Sequence, residues 1–110
     1  MRRVATYGAR KVVEYTEEHW RILRRKRKRA IDIMKILQSY GIESIVYGSV
    51  ARGDVTEKSD VDIFIPLDIP SYKIELALDS YEVLDKRIIQ ATPNYAVKGE
   101  FVLEDNTTVS

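Results

Sequence analysis

Two aspartates, Asp60 and Asp62, stand in Ser59-Asp60-Val61-Asp62-Ile63-Phe64-Ile65, a β-prone run. Residues i and i+2 of a strand share a face, so both carboxylates project together, roughly 6.6–7 Å apart along the chain. Two converging carboxylates are costly unless protonated or neutralised by cations. A hard divalent ion such as Mg²⁺ removes the repulsion, taking carboxylate, phosphate and water oxygens in octahedral geometry. Two such ions can stabilise the attacking and leaving oxygens of an in-line phosphoryl displacement. Val61, Ile63 and Ile65 point the other way, into a core, and hold the face rigid.

Upstream lies Val46-Tyr47-Gly48-Ser49-Val50-Ala51-Arg52-Gly53, a strand turning through glycine into a short helix. A glycine there lets backbone approach a phosphate closely, and the first N–H groups of a helix are anion donors. Ser49 can add a hydroxyl hydrogen bond, and Arg52 either a charge or a structural ion pair. Gly-Ser is also ordinary turn chemistry, and Asp-x-Asp on an exposed sheet face is common. The combination is more specific than either half. It predicts a triphosphate on Gly48-Ser49 and metal between that triphosphate and Asp60/Asp62.

The elements that must position these residues are legible in order. Residues 1–10 show no clear period, and Gly8 interrupts them, so a loosely ordered start over residues 1–15 is expected. Thr16 is a candidate N-cap, with Glu17 and Glu18 in the first turn and His19 at the capping-box position. Trp20, Leu23, Arg27, Ala30, Ile31, Ile33, Met34 and Leu37 recur at three- and four-residue steps, predicting one amphipathic helix of about 25 residues, or two with a break near the basic run, that stops at Gly41. Ile42 to Tyr47 reads as a strand, Asp54 to Lys58 as a polar loop, and Val61 to Ile65 as a strand ended by Pro66. Asp68-Ile69-Pro70-Ser71 is a turn with a new N-cap, and a second amphipathic helix follows to about Asp85. Ile88-Ile89 and Tyr95 to Leu103 read as strands separated by Thr92-Pro93-Asn94. A turn from Glu104 leads into another apparent strand, as if the chain were truncated at its C-terminus.

At 110 residues the chain is one domain with a modest core. No apolar run approaches the roughly 20 residues that span a bilayer, and no apolar segment follows the basic N-terminus, so neither a membrane span nor a secretory signal is read. Absence of cysteine excludes disulfides and thiolate metal sites, and a cytoplasmic location is expected. Charge is uneven: residues 1–30 hold 11 Lys/Arg against 3 Asp/Glu, and residues 31–110 hold 7 against 14, giving the net charge of +1. The run Arg24-Arg25-Lys26-Arg27-Lys28-Arg29 can displace counterions from RNA phosphates, or can be a solvated helix face packing through its methylene stems. His19, the only histidine, is read as a packing residue.

Gly48-Ser49-Val50-Ala51-Arg52-Gly53 followed by Ser59-Asp60-Val61-Asp62 resembles the signature of the DNA polymerase beta-like nucleotidyltransferase superfamily, and within it the minimal nucleotidyltransferase domain proteins of prokaryotes, of archaeal type. The resemblance implies an α+β fold with a small mixed sheet and helices packed on one face, here preceded by a long basic helix, over residues 16–110. It implies transfer of a nucleoside monophosphate, AMP being favoured, from NTP to an acceptor hydroxyl, with release of pyrophosphate. Mg²⁺, as two ions or replaced by Mn²⁺, would be held by Asp60 and Asp62, and the triphosphate by Gly48 and Ser49, with Arg52 beside them. A third carboxylate on a later strand is expected to join the metal and help activate the acceptor hydroxyl; Glu100, opposite in direction to Val97, Phe101 and Leu103, is the choice, with Glu104, Asp105 and Asp85 as alternatives. A small helical HEPN-type protein is the partner that the resemblance suggests. The alternative is a catalytically weak nucleotide-binding module that docks RNA or such a partner.

Overall fold

A computed structural model describes residues 3–7, 11–90 and 97–110 of the chain. The Thr92-Pro93-Asn94 turn read from the sequence lies outside the described residues, as does Gly8. Where the sequence offered no strand, the backbone of β1 (Arg3–Tyr7) pairs antiparallel with β2 (Lys11–Tyr15).

Helix α1 spans Glu17–Ser39 and begins as its sequence dictates. Thr16 Oγ1 accepts a hydrogen bond from the His19 amide, satisfying one of the free N–H groups of the first turn. Ile22, Leu23, Lys26, Ala30, Ile33 and Leu37 form its buried stripe. At the other end Gly41 takes a left-handed φ of +74°, and the Gly41 and Ile42 amides donate to the Gln38 and Leu37 carbonyls.

The remaining elements are β3 (Ile45–Tyr47), α2 (Gly48–Arg52), β4 (Val61–Phe64), α3 (Ser71–Ala77), β5 (Val83–Gln90), β6 (Val97–Leu103) and β7 (Thr107–Val109). The five-stranded sheet has the order β3-β4-β7-β6-β5. Only the β4–β7 pair is parallel, so the sheet is mixed. Alternation along the strands divides it into two faces. Val61, Ile63, Phe101, Leu103 and Val109 turn inward and pack with the buried residues of α1, with Val50 of α2 and with Ile74 and Ala77 of α3. Burial of each Val, Ile, Leu or Phe side chain in this set stabilises the fold by about 1.5–3 kcal/mol. Asp62, Val102 and Thr108 occupy the opposite face. The α+β architecture expected from the sequence is therefore present, long N-terminal helix included. No helix among the described residues is long and apolar enough to cross a membrane.

Several boundaries differ from the expected ones: β3 begins at Ile45 and not at Ile42, and β5 runs over Val83–Gln90 where only Ile88-Ile89 was expected. Ser71 is the first residue of α3, with Pro70 at the cap position and no side-chain cap bond. More substantially, α3 ends at Ala77 where the sequence suggested a helix to about Asp85. Helical burial persists through Leu78, but the Tyr81 amide then donates to the Leu78 carbonyl in a turn. Val83 already pairs with Leu103, and Asp85 with Val102. Pairing with β6 overrides the helical spacing, and Leu84, a core position of the expected helix, is exposed.

Candidate active site

The Tyr47 backbone is extended, and Gly48 then turns the chain into α2 with a left-handed φ of +73°. The turn brings Gly48 against β4: a Cβ there would stand 2.8 Å from Asp62 Oδ2, closer than real Cβ atoms approach. Glycine is required twice over, by conformation and by space. After one short helical stretch the chain leaves α2 at Gly53, again left-handed, whose amide donates to the Ser49 carbonyl.

Basic residues of α1 hold this turn and the loop that follows. Arg27 donates to the Val50 and Ala51 carbonyls at 3.1 and 3.2 Å, and the His19 ring nitrogen Nε2 lies 2.7 Å from the Gly53 carbonyl oxygen. Lys26 is buried, and its Nζ donates to the Glu57 carbonyl at 3.2 Å and the Ser59 carbonyl at 2.6 Å. Arg25 pairs with the Glu57 carboxylate, and Lys28 with Asp32. Arg29 donates to Thr107 Oγ1 and the Glu104 carbonyl, with its guanidinium over the Tyr81 ring. Five of the six cations in the 24–29 run thus have internal partners, which favours the structural side of the two readings given to that run.

Asp60 immediately precedes β4, and Asp62 lies within it. Register places Asp62 beside Tyr47 of β3 and beside Thr108 of β7. Thr108 in turn opposes Val102 of β6, two residues from Glu100. A cleft of about 340 Å³ opens over this row, lined by Tyr47, Asp60, Asp62, Glu100, Val102, Asn106 and Thr108. The structure therefore brings Asp60, Asp62 and Glu100 to one place. Burial pushes the Asp62 carboxyl above its ordinary value, and the negative charges of Asp60 and Glu100 add to the shift.

The other expected site residues fall differently. Gly48 abuts Asp62, and Ser49 follows it in the short helix, but neither lines the cleft itself. Arg52 reaches Asp54 at 3.3 Å on the surface, bracing the turn. Glu104 and Asp105 sit in the β6–β7 turn and Asp85 on β5, none of them in the cleft lining. Tyr47, Asn106 and Thr108 were not singled out in the sequence. Tyr47 enters through the β3–β4 pairing, and Asn106 and Thr108 through the parallel β4–β7 pairing, which joins segments more than 40 residues apart.

Among the described residues, no group of three His, Asp or Glu side chains is arranged to hold a metal ion by itself. The donor set nevertheless suits Mg²⁺. That ion is usually held by one or two carboxylates and completes its octahedron with substrate phosphates and water. Burial first, and then the negative charges of Asp60 and Glu100, disfavour the ionised Asp62 carboxyl, and a bound cation would offset both.

Residues 27–109 match the nucleotidyltransferase domain family, a span that takes in α1 from Arg27 through β7 and every residue of the cleft. No curated protein and no solved structure matches the chain. With three quarters of its length in that match, the chain belongs to the nucleotidyltransferase domain family.

Proposed function

We propose that this protein transfers a nucleoside monophosphate, AMP being favoured, from an NTP to an acceptor hydroxyl. The observation that carries the reading is the meeting of Asp60, Asp62 and Glu100 in one cleft, with Gly48 against Asp62. Asp60 and Asp62 would hold Mg²⁺, as two ions or replaced by Mn²⁺, and the bound cation would neutralise charge on the phosphates. Gly48 and Ser49 would receive the triphosphate through backbone N–H groups and the Ser49 hydroxyl, beside the Asp62 carboxylate that fills the space a Cβ on Gly48 would need. The acceptor oxygen attacks the α-phosphorus, the bond from that phosphorus to the bridging oxygen breaks, and pyrophosphate leaves with the electron pair. Glu100 takes the proton of the acceptor hydroxyl.

The cleft is open to solvent, which suits an acceptor belonging to another macromolecule. A helical protein of the HEPN type is the partner favoured by the resemblance of the motif. RNA is less well supported, because most cations of the 24–29 run already serve carbonyls and carboxylates of the protein.

Labelled-ATP transfer with Mg²⁺, measured on wild type and on the Asp60→Asn/Asp62→Asn double variant, tests the proposal. Label in the acceptor that disappears in the double variant supports it. ATP binding with no transfer to protein, RNA or small-molecule hydroxyls would favour the catalytically weak binding module instead.

A further inference from the structure

We infer that Lys26 is a positioning residue for the metal site, acting on Asp60 through the Ser59 carbonyl. The role rests on the nucleotidyl transfer reading and extends it to a residue in the middle of a basic run. Burying a charged ammonium is costly unless its donors are satisfied. Lys26 is only 6% exposed. Its two partners are neutral carbonyls of one loop, Glu57 and Ser59, more than 30 residues away along the chain. The side chain reaches inward and holds two peptide groups.

The second of those groups matters most. Asp60 precedes β4, so the strand ladder does not begin until the next residue. Two bonds flank it. The Ser59 carbonyl, which shares a rigid peptide plane with the Asp60 amide, accepts from Lys26 Nζ at 2.6 Å. On the other side, the Val61 amide donates to the Asn106 carbonyl at 2.8 Å. Fixing both planes fixes the φ and ψ of Asp60, and with them the direction of its Cβ toward the cleft. Removing the Lys26 contact frees one plane. The Thr56–Ser59 hydrogen bonds keep the loop closed, but they bond Ser59 through its amide and hydroxyl and leave its carbonyl unheld.

The experiment measures Mn²⁺ affinity by electron paramagnetic resonance, with α,β-methylene-ATP present, at a temperature well below the melting point of each variant. Lys26→Met keeps the stem and removes the donors; Lys26→Gln keeps a neutral donor and is the more certain to fold. Outer-shell contacts of this kind change metal affinity by about 10–100-fold. The expected result is a loss of about tenfold or more in Lys26→Met and a smaller loss in Lys26→Gln. Ile33→Val, a core change on the same helix, controls for destabilisation alone and should keep wild-type affinity. Wild-type affinity in both Lys26 variants would overturn the positioning role while leaving the transfer reading intact, as would an equal loss in Ile33→Val. Failure of wild type itself to bind Mn²⁺ would overturn the transfer reading and this role together.

Discussion

Gly48 and Asp62 approach so closely that no side chain fits between them: an ideal Cβ on Gly48 would lie 2.8 Å from Asp62 Oδ2. The glycine of the strand-to-helix turn and the second aspartate of the Asp-x-Asp motif are thus one unit, joined through the Tyr47–Asp62 register of β3 and β4. The contact places the proposed phosphate cradle and the proposed metal ligand side by side.

Gly48→Ala should therefore fail on two grounds. Its left-handed φ costs a residue with a Cβ roughly 1–2 kcal/mol, and the added methyl displaces the Asp62 carboxylate. Chemical denaturation should register the first effect. Labelled-ATP transfer should register the second, as a loss of activity beyond what the remaining folded fraction explains.

Asp62→Asn should stabilise the metal-free protein at neutral pH. Because the native Asp62 carboxyl titrates above its ordinary value, the folded state binds this proton more tightly than the unfolded chain. Stability from this group consequently falls as pH rises from the ordinary carboxylate range through the raised native value, and stays lost above it. Without divalent metal at pH 7, the variant should melt at a higher temperature than wild type. Saturating Mg²⁺ should raise the wild-type melting temperature more than that of the variant.

Glu100→Gln should lower kcat for transfer by about 10²–10⁴-fold, the usual contribution of a positioned general base. The KM for ATP should change little, since Asp60, Asp62 and the Gly48 turn remain. A fall in ATP affinity with kcat preserved would assign Glu100 to nucleotide binding instead.

The basic run should divide by partner and not by charge. Arg27→Met removes the two bonds to α2 carbonyls and should cost on the order of 1 kcal/mol. Lys28→Met removes only an exposed i,i+4 pair with Asp32 and should leave the urea midpoint unchanged.

The parts of the site that lie within one segment were readable before any coordinates. Thr16, the apolar stripe of α1, Gly41 and the Gly48 turn are local signals with local causes. So is the alternation that puts Glu100 opposite Phe101 and Leu103. Residues brought together by distant pairing were not readable. Thr108 and Asn106 reach the cleft only because β7 inserts between β4 and β6. The end of α3 was misplaced because residues 83–85 carry helical spacing yet gain more from pairing with β6. Lys26 looked like one charge among six, since nothing in a run of cations distinguishes the one that points inward. The paired backbone of residues 3–7 and 11–15 had no period to announce it.

The proposed site puts the metal of a bound nucleotide on Asp60 and Asp62, with Glu100 beside the reacting phosphate. A structure of the protein with Mg²⁺ and α,β-methylene-ATP tests it most directly. The expected result is the cation on the Asp60 and Asp62 carboxylates, the triphosphate along Gly48-Ser49, and Glu100 facing the α-phosphate. A nucleotide seated elsewhere, or a cation that bypasses Asp60 and Asp62, would contradict it.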